Sequence, residues 1–231
     1  MIIRREYRGC FKGAIDGESF EKALKAASAR AREEIDGGKL VELCLYRHES
    51  MCFLYVETVE TAESEAYALR NQPPKELRPE NLLKDLTPFL VNRPEVTDGS
   101  PWSYMYPVYY QQRDIKDLDE WLKERNPSKT RVGRIAFLFP DTLPDYVRWH
   151  RALTDEGLLK GDKYQYISLH ENVLFSYYEE PRNNVSILKS DEESKVIDGW
   201  LKLDPGSRFD IEKTNGNHFL PIEPLIMEYL K

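Results

Sequence analysis

Tyr46-Arg-His-Glu-Ser-Met-Cys-Phe-Leu-Tyr-Val-Glu57 and Ser168-Leu-His-Glu-Asn-Val-Leu-Phe-Ser-Tyr-Tyr-Glu179 are two readings of one segment, and together they decide the fold. Laid side by side, His48 falls on His170, Glu49 on Glu171, Phe53 on Phe175, Tyr55 on Tyr177 and Glu57 on Glu179. A single position agrees by chance about one time in twenty, so five agreements at one offset suggest an internal repeat. The order of elements around each segment decides whether it is one.

That order agrees. In the first half, Tyr7 to Gly13 reads as a strand, and Phe20, Leu24, Ala27, Ala31 and Ile35 recur at helical spacing until Gly37 and Gly38 stop them. Lys39 to Tyr46 and Met51 to Val59 then read as a hairpin. In the second half Val132 to Phe139 is the strand, Thr142 to Asp145 resembles a capping box, and Leu143, Tyr146, Val147, His150, Leu153 and Leu158 mark one helix face. Lys163 to Leu169 and Val173 to Glu179 repeat the hairpin, and Ser190 to Glu193 is read as the cap of a helix burying Val196, Ile197, Trp200 and Leu201.

Prolines between Thr61 and Pro101 break long helices in the first half and leave a short one over Glu80 to Leu90. Trp102 to Tyr110 alternates as a strand, placed at an edge by Pro107, and its tyrosines suit the lining of a sugar or aromatic ligand cavity as well as an ordinary half-buried strand. Asp114 to Arg125 reads as a helix with Ile115, Leu118 and Leu122 on one face, broken by Asn126-Pro127. The division is a first module over 1–112, a linker with a short helix over 113–130, and a second module over 131–231. The fold class is α+β: a tandem duplication of a ferredoxin-like βαββα(β) module, with two antiparallel sheets packed together as an α+β barrel within one chain.

Composition narrows the partners. A formal charge of −7 and a pI near 5.3 oppose a mode of binding that needs a basic face, so nucleic acid is not expected. No apolar run approaches a membrane span, and the opening residues do not form a signal peptide, which makes the cytoplasm the expected location. Cys10, Cys44 and Cys52 are odd in number and lack CxxC spacing, and they read as small buried hydrophobes. The four histidines show no metal-ligand spacing, and neither metal nor cofactor is expected.

With Arg134-Ile-Ala-Phe137, Tyr146 and His150 one helical turn apart, Tyr164 to Leu169, Leu174 to Glu179 and Trp200 in this order, the second half resembles the L-rhamnose mutarotases, small α+β proteins that interconvert sugar anomers. The family usually has Arg before the helix histidine, where this chain has Trp149. It also has an Ile-Trp-Pro-Glu run soon after, where this chain has Arg151 to Thr154, and paired tryptophans where Trp200 precedes Leu201. The resemblance implies His150 as general acid or base and Tyr146 as its companion, with Trp200, Tyr166 and Trp149 binding a monosaccharide. A homodimer is also allowed.

Blander readings stand beside these. His150 lies on an apolar helix face and suits a core histidine held by a backbone carbonyl equally well. Tyr146 and Trp200 suit core positions, and His48 and His170 suit turns. Two functional alternatives follow: a non-catalytic ligand-binding or interaction protein, and, by analogy of fold alone, a haem-handling or cofactor-poor oxygenase. The sugar reading requires His150 to face a polar pocket.

Overall fold

The computed structural model describes residues 1–13, 15–60, 73–93, 95–96, 99–112, 114–123, 125, 128–158, 162–182 and 194–230. The first half runs β1 (Ile2–Cys10), α1 (Gly17–Asp36), β2 (Leu40–His48), β3 (Met51–Val59), α2 (Pro79–Leu82), β4 (Ser103–Tyr104), β5 (Tyr106–Tyr110), β6 (Asp114–Ile115) and α3 (Leu118–Leu122). The second runs β7 (Thr130–Phe137), α4 (Leu143–Glu156), β8 (Tyr166–His170), β9 (Val173–Glu180), α5 (Lys195–Lys202), β10 (Leu220–Pro221) and β11 (Glu223–Tyr229).

The repeated segment forms the same hairpin twice. His48 pairs with Met51 and His170 with Val173, so each histidine closes the ladder. The glutamate that follows takes the corner: Glu49 has φ 52 and Glu171 φ 56, left-handed values that non-glycine residues adopt mainly in turns. Further along, Glu57 lies opposite Arg4 and Glu179 opposite Arg131, while Tyr55 and Tyr177 donate to the carboxylates of Glu57 and Glu179 at 2.5 and 3.0 Å. All six of these side chains are buried.

Strand order makes each half ferredoxin-like. The first sheet is ordered β11-β2-β3-β1-β4, with β6 also beside β1, and the second β10-β7-β9-β8-β5. Counted from the start of its own copy, each half places its strands in the order 4-1-3-2, all pairs antiparallel. The fold class expected from the repeat, a duplicated ferredoxin-like α+β protein, is the one observed.

The fifth strand of each sheet comes from the other half of the sequence. After β4 the chain passes Met105, whose N–H donates to Glu6 O at 2.9 Å, and continues as β5 on the edge of the second sheet. After β10 it passes Ile222, whose N–H donates to Gly133 O at 2.9 Å, and continues as β11 on the edge of the first. Glu6 and Gly133 are themselves equivalent, lying opposite Tyr55 and Tyr177. One unit therefore comprises Met1–Met105, Arg113–Ser128 and Glu223–Lys231, and the other Tyr106–Gln112 and Lys129–Ile222. The sequence boundaries 1–112 and 131–231 miss this exchange, because periodicity identifies a strand without saying which edge it joins.

In the first unit α1 lays Phe20, Ala23, Ala27, Ala31 and Ile35 on a sheet face formed by Leu43, Leu45, Cys52, Leu54 and Val56. Asp16 caps it by accepting from Ser19 N at 3.0 Å, and Gly38 turns away at φ 71. In the second unit α4 and α5 bury Tyr146, Leu153, Ile197 and Trp200 with Ala136, Leu138, Ile167 and Leu174. Cys44 and Cys52 are buried, and Cys10 is partly exposed.

Several local expectations change. The first strand starts earlier, at Ile2, because Arg4, Arg5 and Glu6 are buried charges, Arg4 and Arg5 facing Glu57 and Glu60, that look like surface to a hydropathy pattern. Asp114 to Arg125 is a two-residue strand followed by a short helix that buries Trp121, while Leu118 is exposed. Thr142 makes no capping bond, since its hydroxyl donates to Phe139 O at 2.7 Å. Ser194 caps α5, accepting from Ile197 N at 2.9 Å, and Leu201 is exposed. The cap expected at Ser190 to Glu193 lies outside the described residues.

Candidate functional site

The site builds from α4 of the second unit. Tyr146, His150 and Leu153 are its buried residues, spaced as one apolar stripe, and Gly157 ends it in the left-handed region at φ 70. The His150 ring stacks on Tyr146 with centroids 3.9 Å apart and meets Trp200 edge-on at 4.8 Å and Tyr109 edge-on at 6.4 Å. Its Nδ1 lies 3.0 Å from Tyr146 O, an acceptor only, so this nitrogen carries the proton. With 8% of its surface exposed, the ring is a core element enclosed by three aromatics.

Burial sets its charge. Loss of hydration lowers the His150 pKa to about 4, and the Tyr146 carbonyl only partly opposes this, so the ring is neutral at physiological pH. Burial likewise lifts the phenol of Tyr146 well above its ordinary value. Burial, followed by the negative charge of Asp162, lifts Tyr109 to about 12.

Beside this cluster is a cleft of about 240 Å³ lined by Tyr109, Tyr110, Gln111, Gln112, Leu153, Thr154 and Gly157. It adjoins His150 in two ways: Tyr109 touches the ring, and the Thr154 hydroxyl donates to His150 O at 2.9 Å. Phenol, amide and hydroxyl groups provide donors and acceptors around a partly apolar wall, which suits a small molecule with polar substituents.

Of the residues singled out in sequence, the structure brings Tyr146, His150 and Trp200 together. Trp149 packs against α5, where a Cβ on Gly199 would lie 2.6 Å from its ring, and among the described residues its indole N–H has no acceptor. Tyr166 points away from the helix-bearing face, alternating with core residue Ile167, and stacks on Tyr110 at 5.7 Å. His48 and His170 end their hairpins. Gln111, Gln112 and Thr154 were missed. Thr154 lies one turn beyond His150 and could have been found by extending that face, but nothing local marks the glutamines.

Among the described residues no three metal-ligating side chains cluster, and no helix is long and apolar enough to cross a membrane. The fold and site define a duplicated ferredoxin-like α+β protein with an aromatic cluster and a small cleft in its second unit.

No family model matches the chain, and no curated protein matches it. Among solved structures, a candidate monooxygenase from Fusobacterium nucleatum is similar at 10% identity and a TM-score of 0.42, over 99% of this chain and 94% of that one. A candidate monooxygenase from Lactobacillus acidophilus is similar at 7% identity and a TM-score of 0.40, over 99% and 96%. An anthrone oxidase-like protein is similar at 8% identity and a TM-score of 0.36, over 99% and 96%. These values are low, and the fold assignment rests on the strand order of the chain itself.

Proposed function

We propose that this protein binds a small ring-shaped organic molecule in the cleft of its second unit, with His150 as an uncharged part of the supporting wall. The observation that carries this reading is the cleft of about 240 Å³ lined by Tyr109, Tyr110, Gln111, Gln112 and Thr154 beside a neutral histidine. Anomer exchange has less support. It requires a proton donor for the ring oxygen, and a histidine with a pKa near 4 is unprotonated at neutral pH. It also requires the imidazole to meet the sugar, whereas the ring is walled by Tyr146, Trp200 and Tyr109.

A cofactor-independent oxygenase is the catalytic form of the same reading. It would need a base to take the hydroxyl proton of an electron-rich ring before dioxygen reacts, and an unprotonated histidine is the form that accepts a proton.

The test is an NMR titration with L-rhamnose, other neutral aldoses and simple phenols, comparing the wild type with Thr154→Trp, which fills the cleft. Binding of a phenol or a sugar that Thr154→Trp abolishes is the expected result. No shift for any compound overturns the proposal. Anomer exchange accelerated by the wild type but not by a folded His150→Gln variant would reinstate the mutarotase reading. Ligand-dependent oxygen uptake would establish the oxygenase.

A further inference from the structure

The cleft leaves one feature of the second unit unused. Arg134 lies on β7, its ladder partner Ser176 on β9, and Tyr178 two residues further on the same face. The Arg134 guanidinium carbon is 4.7 Å from the Tyr178 ring centroid and 4.2 Å from that of Phe219. Arg182 covers Tyr178 as well, with its guanidinium carbon 3.8 Å from the centroid. Two cations thus share one aromatic ring.

Nothing among the described residues neutralises them. Among the described residues Arg134 makes one hydrogen bond, Nε to Ser176 Oγ at 3.3 Å, and no ion pair. Glu180, the carboxylate that bears on it electrostatically, is exposed and accepts from the Tyr178 hydroxyl at 3.3 Å. Three arginines of the first unit are placed differently: Arg5 faces Glu60, and Arg4 and Arg125 face Glu57. A guanidinium has five N–H donors in its plane, so ring contacts at its face leave the edge of Arg134 available.

The fold does not need a cation here. Ladder equivalence with the first unit puts Tyr7 at the position of Arg134, Leu54 at Ser176, Val56 at Tyr178 and Trp102 at Phe219. All four first-unit residues belong to its apolar core. One copy closes this corner with hydrocarbon, and the other keeps a partly buried arginine, a hydroxyl and a second arginine there. Partly dehydrating a guanidinium without a counter-charge is costly, and an oxyanion would offset that cost.

We propose that Arg134 and Arg182 form a binding site for an aromatic carboxylate, whose two oxygens meet the edge of Arg134 and whose ring lies among Tyr178, Phe219 and Phe209. A planar carboxylate matches the guanidinium fork, and Phe209 and Phe219, 5.7 Å apart, extend the aromatic surface beyond the cation. Neither arginine lines the tyrosine–glutamine cleft, so this is a second site on the unit.

The experiment is a titration of the full chain with benzoate, acetate and inorganic phosphate, read at the Nε–H resonances of Arg134 and Arg182. Benzoate is expected to shift both resonances and to bind at least tenfold more tightly than acetate or phosphate. Arg134→Gln is expected to weaken it at least tenfold, as loss of a charged hydrogen-bonding partner does. Because Arg134→Gln alters a packed corner, Arg182→Glu serves as the second variant: it adds a carboxylate beside Arg134 from beyond the end of β9 and should abolish binding in a folded protein. Absence of a benzoate shift overturns the site, and so does benzoate binding unchanged in both variants. Phosphate binding more tightly than benzoate overturns the choice of ligand class.

Discussion

The helix-bearing faces of the two units contrast two ways of finishing the same module. In the first, α1 presents Ala23, Ala27 and Ala31, small enough to bring the helix close to a sheet of leucine, valine and cysteine. In the second, α4 presents Tyr146 and His150, and the sheet below supplies Arg134, Ser176 and Tyr178 where the first has Tyr7, Leu54 and Val56. Small residues close the space in one unit. Large, partly polar residues in the other leave ring edges, hydroxyls and a cleft. The opposite sheet faces keep the same Tyr-Glu hydrogen bond, each glutamate lying opposite an arginine in the ladder.

The largest effect that would break this comparison is expected at Glu57. It accepts from Trp121 Nε1 at 3.0 Å and from both terminal nitrogens of Arg125 at 2.9 Å, in a buried setting. Glu57→Gln removes the charge facing Arg4 and leaves Arg125 with Glu42 at 3.3 Å, and should cost about 3–5 kcal/mol in denaturant unfolding. A loss below 1 kcal/mol would mean that the cluster contributes little to the first unit.

Acid titration should separate the units. Burial alone would raise the Glu57 pKa, but Arg125, then the charge of Arg4 and the hydrogen bond from Tyr55, outweigh it and hold the value near 2. The unfolded carboxyl takes up its proton first, so stability is lost as pH falls from about 4.5 towards 2, by about 3 kcal/mol in total. His150 is depressed by burial to about 4 from an ordinary value near 6.5. The unfolded ring binds its proton near pH 6.5 and the folded ring does not, so stability falls by a further amount, about 3 kcal/mol, as pH drops from 6.5 to 4. His150→Phe should flatten the upper window alone and Glu57→Gln the lower one alone. A flat upper window in the wild type would show that His150 is hydrated after all.

Overpacking sharpens the contrast between the helices. Ala27→Leu puts a large side chain where α1 lies against the sheet and should cost about 1–3 kcal/mol in thermal unfolding. The smallest effect should come from Ser194→Ala, which removes the cap of α5 for about 1 kcal/mol. It should also loosen Trp200 beside His150, seen as a change in tryptophan fluorescence.

Much of the fold was legible locally. The offset between the two His-Glu segments gave the hairpins, and the spacing of Phe20, Ala27, Ala31 and Ile35 gave α1. The aromatic trio Tyr146, His150 and Trp200 could also be named from one helix stripe and the residue expected to pack on it. The trio's role could not, because Tyr109 reaches it on a strand forty residues away in sequence. Glu57 was legible as a repeat position only, since Trp121 and Arg125 meet it from a segment whose helix was read with the wrong face inward.

By itself the sequence determined the duplication, the strand-helix-hairpin order of each copy and the absence of a histidine from the buried face of α1, because these depend on periods of two and 3.6 residues along a local stretch. Only the tertiary structure decided that β5 and β11 exchange sheets, that His150 is uncharged, and that Arg134 faces rings rather than a carboxylate. Strand exchange depends on which edge a bent strand meets, and charge state depends on neighbours from distant segments. Neither leaves a periodic trace in the chain that carries it.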